Sequence, residues 1–239
     1  MIIRSLLALF VLAAGPGLAA GGALTTDMDF AAVYGASLES MGGLDAVSSV
    51  HSIKASAVCV SPQGQYGTEL QSARGNMFFF RQTQPSGPAF QAYLVPGQSV
   101  SMDNRGGGPV PLKPEAVAVI RAHDFQMMAL EFDQRFRDIA VRGEEMFGGS
   151  RCLALSMVDE LGAPATGWYR MGSGLLAGFE TRNPIDTGTV RVQILDWMDV
   201  DGVKLPSHVI ATDTAGDFVL RFTEISTNGV PEEAFQAPR

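Results

Sequence analysis

Cationic side chains are scarce: lysine occurs only at Lys54, Lys113 and Lys204, and 17 Lys and Arg stand against 25 Asp and Glu, a formal net charge of −8. Such a chain has no electrostatic reason to seek nucleic-acid phosphates or anionic headgroups, which sets nucleic-acid binding aside. With 3 His and 2 Cys, no set at metal-ligand spacing can be assembled, so no metal is expected. No phosphate loop or dinucleotide fingerprint occurs, so no cofactor is expected either. Long apolar runs are missing as well. Leu6 to Ala14 is the most pronounced, about half the ~20 residues of a membrane-spanning helix, so an integral membrane protein is not expected.

That apolar run follows Arg4 and ends at Pro16-Gly17 before Ala19-Ala20, the layout of a cleaved secretory leader over residues 1–20. The compartment implied is the periplasm. The mature chain, 21–239, carries sixteen Lys and Arg against twenty-five Asp and Glu and a net charge of −9. No linker or repeat divides it, so one domain is expected. Cys59 and Cys152 enter a compartment that permits disulfides, yet both lie in alternating apolar segments where a cysteine also serves as a small core residue.

The periodicity is mixed. Phe30, Val33, Tyr34, Leu38 and Met41 recur at helical spacing, with Thr26 or Asp27 as the cap and Gly42-Gly43 as the stop. From Ser52 the period becomes that of strands, at 53–60, 67–73, 77–83, 90–95 and 99–102. Turn chemistry such as Pro62-Gln63-Gly64 and Arg74-Gly75-Asn76 separates them. Turns this close imply antiparallel neighbours, because a parallel crossover needs a dozen or more residues. Pro114 then opens a helical interlude. Asp124 caps a second helix carrying Phe125, Met128, Ala129, Phe132 and Phe136 on one face. Strands resume through 153–157, 190–194 and 218–222. The sum is an α+β protein of roughly ten strands.

Nothing in this pattern assembles a catalytic site. Ser49 and His51, His123-Asp124 and His208 lack a nucleophile-elbow context, and Asp199 and Asp201 flank a turn. No catalytic residue is assigned. Candidate ligand-binding residues are apolar instead. Flexible Met and aromatic side chains at Phe125, Met128, Phe132 and Phe136 suit a pocket for an acyl chain. Phe78, Phe79 and Phe80 in succession put apolar surface on both faces of a strand, and a one-sided sheet needs only one. Phe78 and Phe80, with Phe90 and Trp168 from other strands, complete the set. Arg81, Arg170 and Arg191 in apolar strands read better as solvent-facing positions than as partners of a lipid phosphate or carboxylate.

Several segments also resemble outer-membrane lipoprotein-sorting-like proteins. They are Ser37-Leu38-Glu39-Ser40-Met41-Gly42-Gly43-Leu44-Asp45-Ala46 with Ile53-Lys54-Ala55, and Trp168-Tyr169 with Gly174-Leu175-Leu176. The run Asp199 to Pro206 and the closing Asn228 to Phe235 with Pro238 are similar too. The resemblance implies a half-open β-barrel of the LolA/LolB type, one strongly curved antiparallel sheet enclosing helices and an apolar cavity. It also implies a lipid or acyl-chain ligand, or alternatively an envelope protein partner with no small ligand. The expectation is therefore a periplasmic binding protein, not an enzyme, whose cavity is partly closed by a lid of helices over 114–136.

Overall fold

A computed structural model describes residues 23–84, 90–103, 108–186 and 188–237. The leader assigned to residues 1–20 lies outside them, as does Pro238. The first strands are β1 (Ser52–Ser61), β2 (Gly64–Ala73), β3 (Met77–Thr83), β4 (Phe90–Val95), β5 (Gln98–Asp103) and β6 (Val110–Pro111). They form a meander that steps outward one neighbour at a time. A second meander follows: β7 (Arg137–Phe147), β8 (Ser150–Val158), β9 (Pro164–Arg170), β10 (Leu176–Arg182), β11 (Thr189–Val200), β12 (Val203–Asp213) and β13 (Gly216–Thr227). It ends beside β1. The result is one antiparallel sheet of thirteen strands, with β6 and β7 at its edges and β1–β13 the one pairing of strands distant in sequence.

Curvature comes from breaks in the ladder. Register shifts occur between Ser56 and Ala57, between Leu176 and Gly178, from Ile194 to Trp197, and twice in β7. An extra residue on one strand bends it and raises the local twist, so a sheet with several such breaks curls on itself. The half-barrel fold expected from the sequence is present.

The chain must travel from edge β6 to edge β7, and it does so across the concave face. Three short helices make the crossing: α3 (Pro114–Arg121), α4 (Phe125–Leu130) and α5 (Phe132–Arg135). The helices α1 (Phe30–Ser40) and α2 (Leu44–Ser49) close one end, where Met41, Val47, Val50 and Ile53 pack with Met127, Leu130, Val203 and Leu205. There Gly42, at φ 129°, passes so close to the Asp201-Gly202 turn that a Cβ would strike the Gly202 carbonyl. No helix among the described residues is long and apolar enough to cross a membrane.

Four expectations need correction. Asp29, not Thr26 or Asp27, caps α1, its Oδ1 accepting from the Ala32 amide at 2.8 Å. The second helix is not continuous to Phe136. It breaks at Glu131 (φ −126°, ψ 36°), whose carboxylate is drawn to Arg74 at 2.8 Å. Asp124 occupies the N-cap position without a capping bond, because its carboxylate faces Arg135. Strands β6 and β7 were not expected at all. β7 is an edge, with only Ile139 and Val141 turned toward the core, so its sequence shows little alternation.

Candidate functional site

The concave face is apolar from wall to wall. Phe78 and Phe80 from β3, Leu153 and Leu155 from β8, Tyr169 from β9 and Phe179 from β10 meet Phe125, Met128, Phe132 and Phe136 of the helix layer in one buried cluster. Phe132 has no exposed surface. Its ring meets Tyr169 edge-on at 5.5 Å and Phe136 at 4.7 Å. Gly167 provides its seat, since a Cβ there would lie 3.0 Å from the Phe132 ring. The helix face is therefore packed as core. The rings of Phe125 and Phe132 fill the interior themselves, so the face offered as a lid is closely packed.

How the layer is fastened is more informative. No backbone–backbone hydrogen bond joins residues 113–136 to a strand among the described residues. Side chains do the fastening. Tyr34 donates to the Leu130 carbonyl at 2.7 Å, and Gln126 donates to the Pro206 carbonyl at 3.0 Å. Arg74 pairs with Glu131 while also donating to the Val50 and Val47 carbonyls. Burial raises the Asp124 and Glu131 carboxyls above their usual range, opposed by Arg135 and Arg74 respectively.

At the end of the barrel away from α2, a cavity of about 80 Å³ remains. Val119 of α3 and Ala122 just after it, with Met128, Phe136, Phe179 and Val190, form its apolar lining. The turn after β8 brings Asp159 and Glu160 to it, the end of β10 brings Arg182, and Arg121 and Arg135 reach it from the helices. Arg121 meets Glu160 at 3.3 Å. Asp159 is occupied within its own turn by the Leu161 and Ala163 amides and by Thr181. Burial lowers the Arg121 pKa; Glu160 opposes this, and Arg135 beside it adds to the lowering.

No protein-family model matches the sequence, and comparison with curated proteins finds no match. Solved structures do match. A DUF1329 family protein from Desulfovibrio piger superposes with a TM-score of 0.61 at 13% identity, over 86% of this chain and 96% of its own. A LolA superfamily protein from Nitrosomonas europaea gives 0.53 at 12% identity, over 78% and 90%. An outer membrane lipoprotein-sorting protein domain from Vibrio parahaemolyticus gives 0.54 at 13% identity, over 77% and 89%. The chain has the LolA-like fold.

Within that LolA-like frame the eight sequence-selected residues separate. Phe78, Phe80, Phe125, Met128, Phe132 and Phe136 share the interior, but only Met128 and Phe136 line the cavity. Phe90 sits at the rim, 36% exposed, with its ring 6.2 Å from Phe80. Trp168 is apart from all of them. It lies on the outer face, stacked 4.2 Å from Phe147, and donates to Glu145. Phe79 also faces outward, where the closing 3-10 turn Glu232–Phe235 covers it with Phe235. A hollow of about 480 Å³ beside that turn mixes Gln98, Glu232 and Gln236 with Met77 and Tyr93. It is larger than the interior cavity but lies on the wrong side of the sheet to meet Phe78 or Phe80.

The cysteines do not pair. Cys59 belongs to the inner cluster, and Cys152 to the outer one with Phe147 and Trp168, so the sheet stands between them. His123 is held between the Phe80 and Phe125 rings with Nδ1 3.0 Å from the Val119 carbonyl, and burial lowers its pKa. Arg81 and Arg191 form cross-strand pairs with Glu69 and Glu180, and Arg170 donates to the Ile194 carbonyl. The cations at the cavity are instead Arg121, Arg135 and Arg182. The sequence offered no sign of them, since they come from three separate segments.

Proposed function

We propose that this chain is an exported periplasmic binding protein, with residues 1–20 a cleaved leader and 21–239 one domain. It holds a lipid or acyl chain inside the half-barrel. One observation carries the reading: the apolar concave face is covered by a helix layer that, between its two chain connections, no backbone hydrogen bond joins to the sheet among the described residues. Such a layer can lift without breaking the ladder, exposing Phe78, Phe80, Phe125 and Phe132 as walls. Each methylene that leaves water for that interior contributes about 0.8 kcal/mol. The cavity of about 80 Å³ is far below the roughly 300–1,000 Å³ of ordinary ligand sites, so binding requires the layer to move.

The same smallness favours a second reading, an envelope protein-interaction module with no small ligand. Titration of a fluorescent fatty acid into protein freed of lipid by unfolding and refolding separates the two. The lipid reading requires saturable binding with one site per chain. Stable, refolded protein that shows none leaves the interaction module.

A further inference from the structure

The small cavity at the barrel mouth combines two chemistries that an apolar carrier alone does not need. Its depth is hydrocarbon: Val119, Met128, Phe136 and Phe179. Its rim holds three guanidinium groups, Arg121, Arg135 and Arg182, in a protein of net charge −8. The local carboxylates engage two of them but leave donors over. Asp159 is taken by its own turn, Asp124 engages Arg135 through Oδ2 alone, and Glu160, 41% exposed, reaches Arg121 at 3.3 Å. Arg182 makes no ion pair with a described residue.

Two donors of these groups are left over, beside one acceptor, Asp124 Oδ1. The Nε–H groups of both Arg121 and Arg135 are buried and have no acceptor among the described residues. Buried donors without partners are rare, and a guanidinium fork matches the oxygens of a carboxylate or phosphate. An anion that enters as the helix layer moves would accept from these donors and relieve the repulsion between the two neighbouring cations.

We infer that the ligand is an amphiphile with an anionic head, its oxygens held by Arg121, Arg135 and Arg182 and its chain running inward past Met128 and Phe136. This rests on the lipid-binding reading and narrows it to one class of lipid: the head is a carboxylate or a phosphate monoester, not a neutral alcohol or glyceride. Entry is tail-first at the mouth beside the Asp159–Ala163 turn and Pro184. The anionic head stays at the surface, so binding weakens with salt.

Calorimetric titration of lipid-free, full-length mature protein with palmitate, hexadecyl phosphate and hexadecanol tests this. Wild type is expected to bind at least one of the two anions more tightly than hexadecanol, and whichever anion binds better names the head. Arg182→Gln, an exposed position whose variant should fold, is expected to weaken that anion by about tenfold, as loss of a charge-assisted hydrogen bond does, and hexadecanol by less than about twofold. Arg121→Gln is expected to do the same, and circular dichroism confirms that each variant is folded. Equal weakening of all three probes, or none, in folded variants overturns the anionic head while leaving the lipid carrier standing. If no probe binds wild type, the carrier reading itself fails.

Discussion

Asp124 and Arg135 meet at 2.9 Å inside the helix layer, their side chains only 2% and 11% exposed, and so clip the start of α4 to the end of α5. A second buried carboxylate, Glu131, ties the break between these helices to Arg74 at the β2–β3 turn. The layer over the concave face is therefore held by two ion pairs in which burial opposes the charge.

That opposition sets a pH dependence. Both carboxyls have pKa values raised by burial in the folded state, with the neighbouring arginines pulling the other way. A group raised on folding contributes stability that is complete below its unfolded pKa and is lost as pH rises through the folded one. Urea melts between roughly pH 4 and 8 should show wild type losing stability, relative to Asp124→Asn/Glu131→Gln, as pH climbs above the ordinary carboxylate range near 4. If wild type instead gains on the double variant with rising pH, the ion pairs outweigh burial.

Phe132 has no exposed surface and rests on Gly167, Tyr169 and Phe136. Phe132→Ala should cost about 3–5 kcal/mol in the ligand-free protein, the range for an aromatic lost from a packed core. A urea melt showing a loss below about 1 kcal/mol would mean that the ring is loosely held.

Phe136 lines the cavity at the mouth and occupies space that an acyl chain would need. Truncating an apolar side chain there leaves a dry void, and such voids take up hydrocarbon. Phe136→Ala should therefore tighten fluorescent fatty-acid binding several-fold even as it lowers stability. Weaker binding in a folded variant would place the chain elsewhere.

The thiols of Cys59 and Cys152 lie on opposite faces of the sheet, and burial pushes Cys59 up to about 11. The protein should give the same intact mass with and without reductant, and both thiols should react only after unfolding. A mass that rises on reduction would show a bridge and a different packing of β1 or β8.

Much of the fold was legible because its signals are local. Alternation with close turns marks antiparallel meanders, and Phe78-Phe79-Phe80 announces cover on both faces, supplied by the helices inside and Phe235 outside. The break at Glu131 was not legible. Helical spacing continues through Phe132 and Phe136, and only the distant Arg74 explains why the helix stops. Trp168 was placed inside because strand alternation does not say which face is inward. Its neighbour Tyr169 faces the core instead. The arginines at the cavity end two helices and a strand, Arg121, Arg135 and Arg182, and tertiary structure alone brings them together.

The most direct test of the lipid-binding account is native mass spectrometry of the protein purified from its own cells under conditions that keep it folded. The account expects one adduct per chain, with the mass of an acyl-bearing amphiphile that ionises as an anion once released, and its loss when the protein is unfolded. Folded protein that carries no adduct, and takes up none when offered the periplasmic lipid extract, would contradict it.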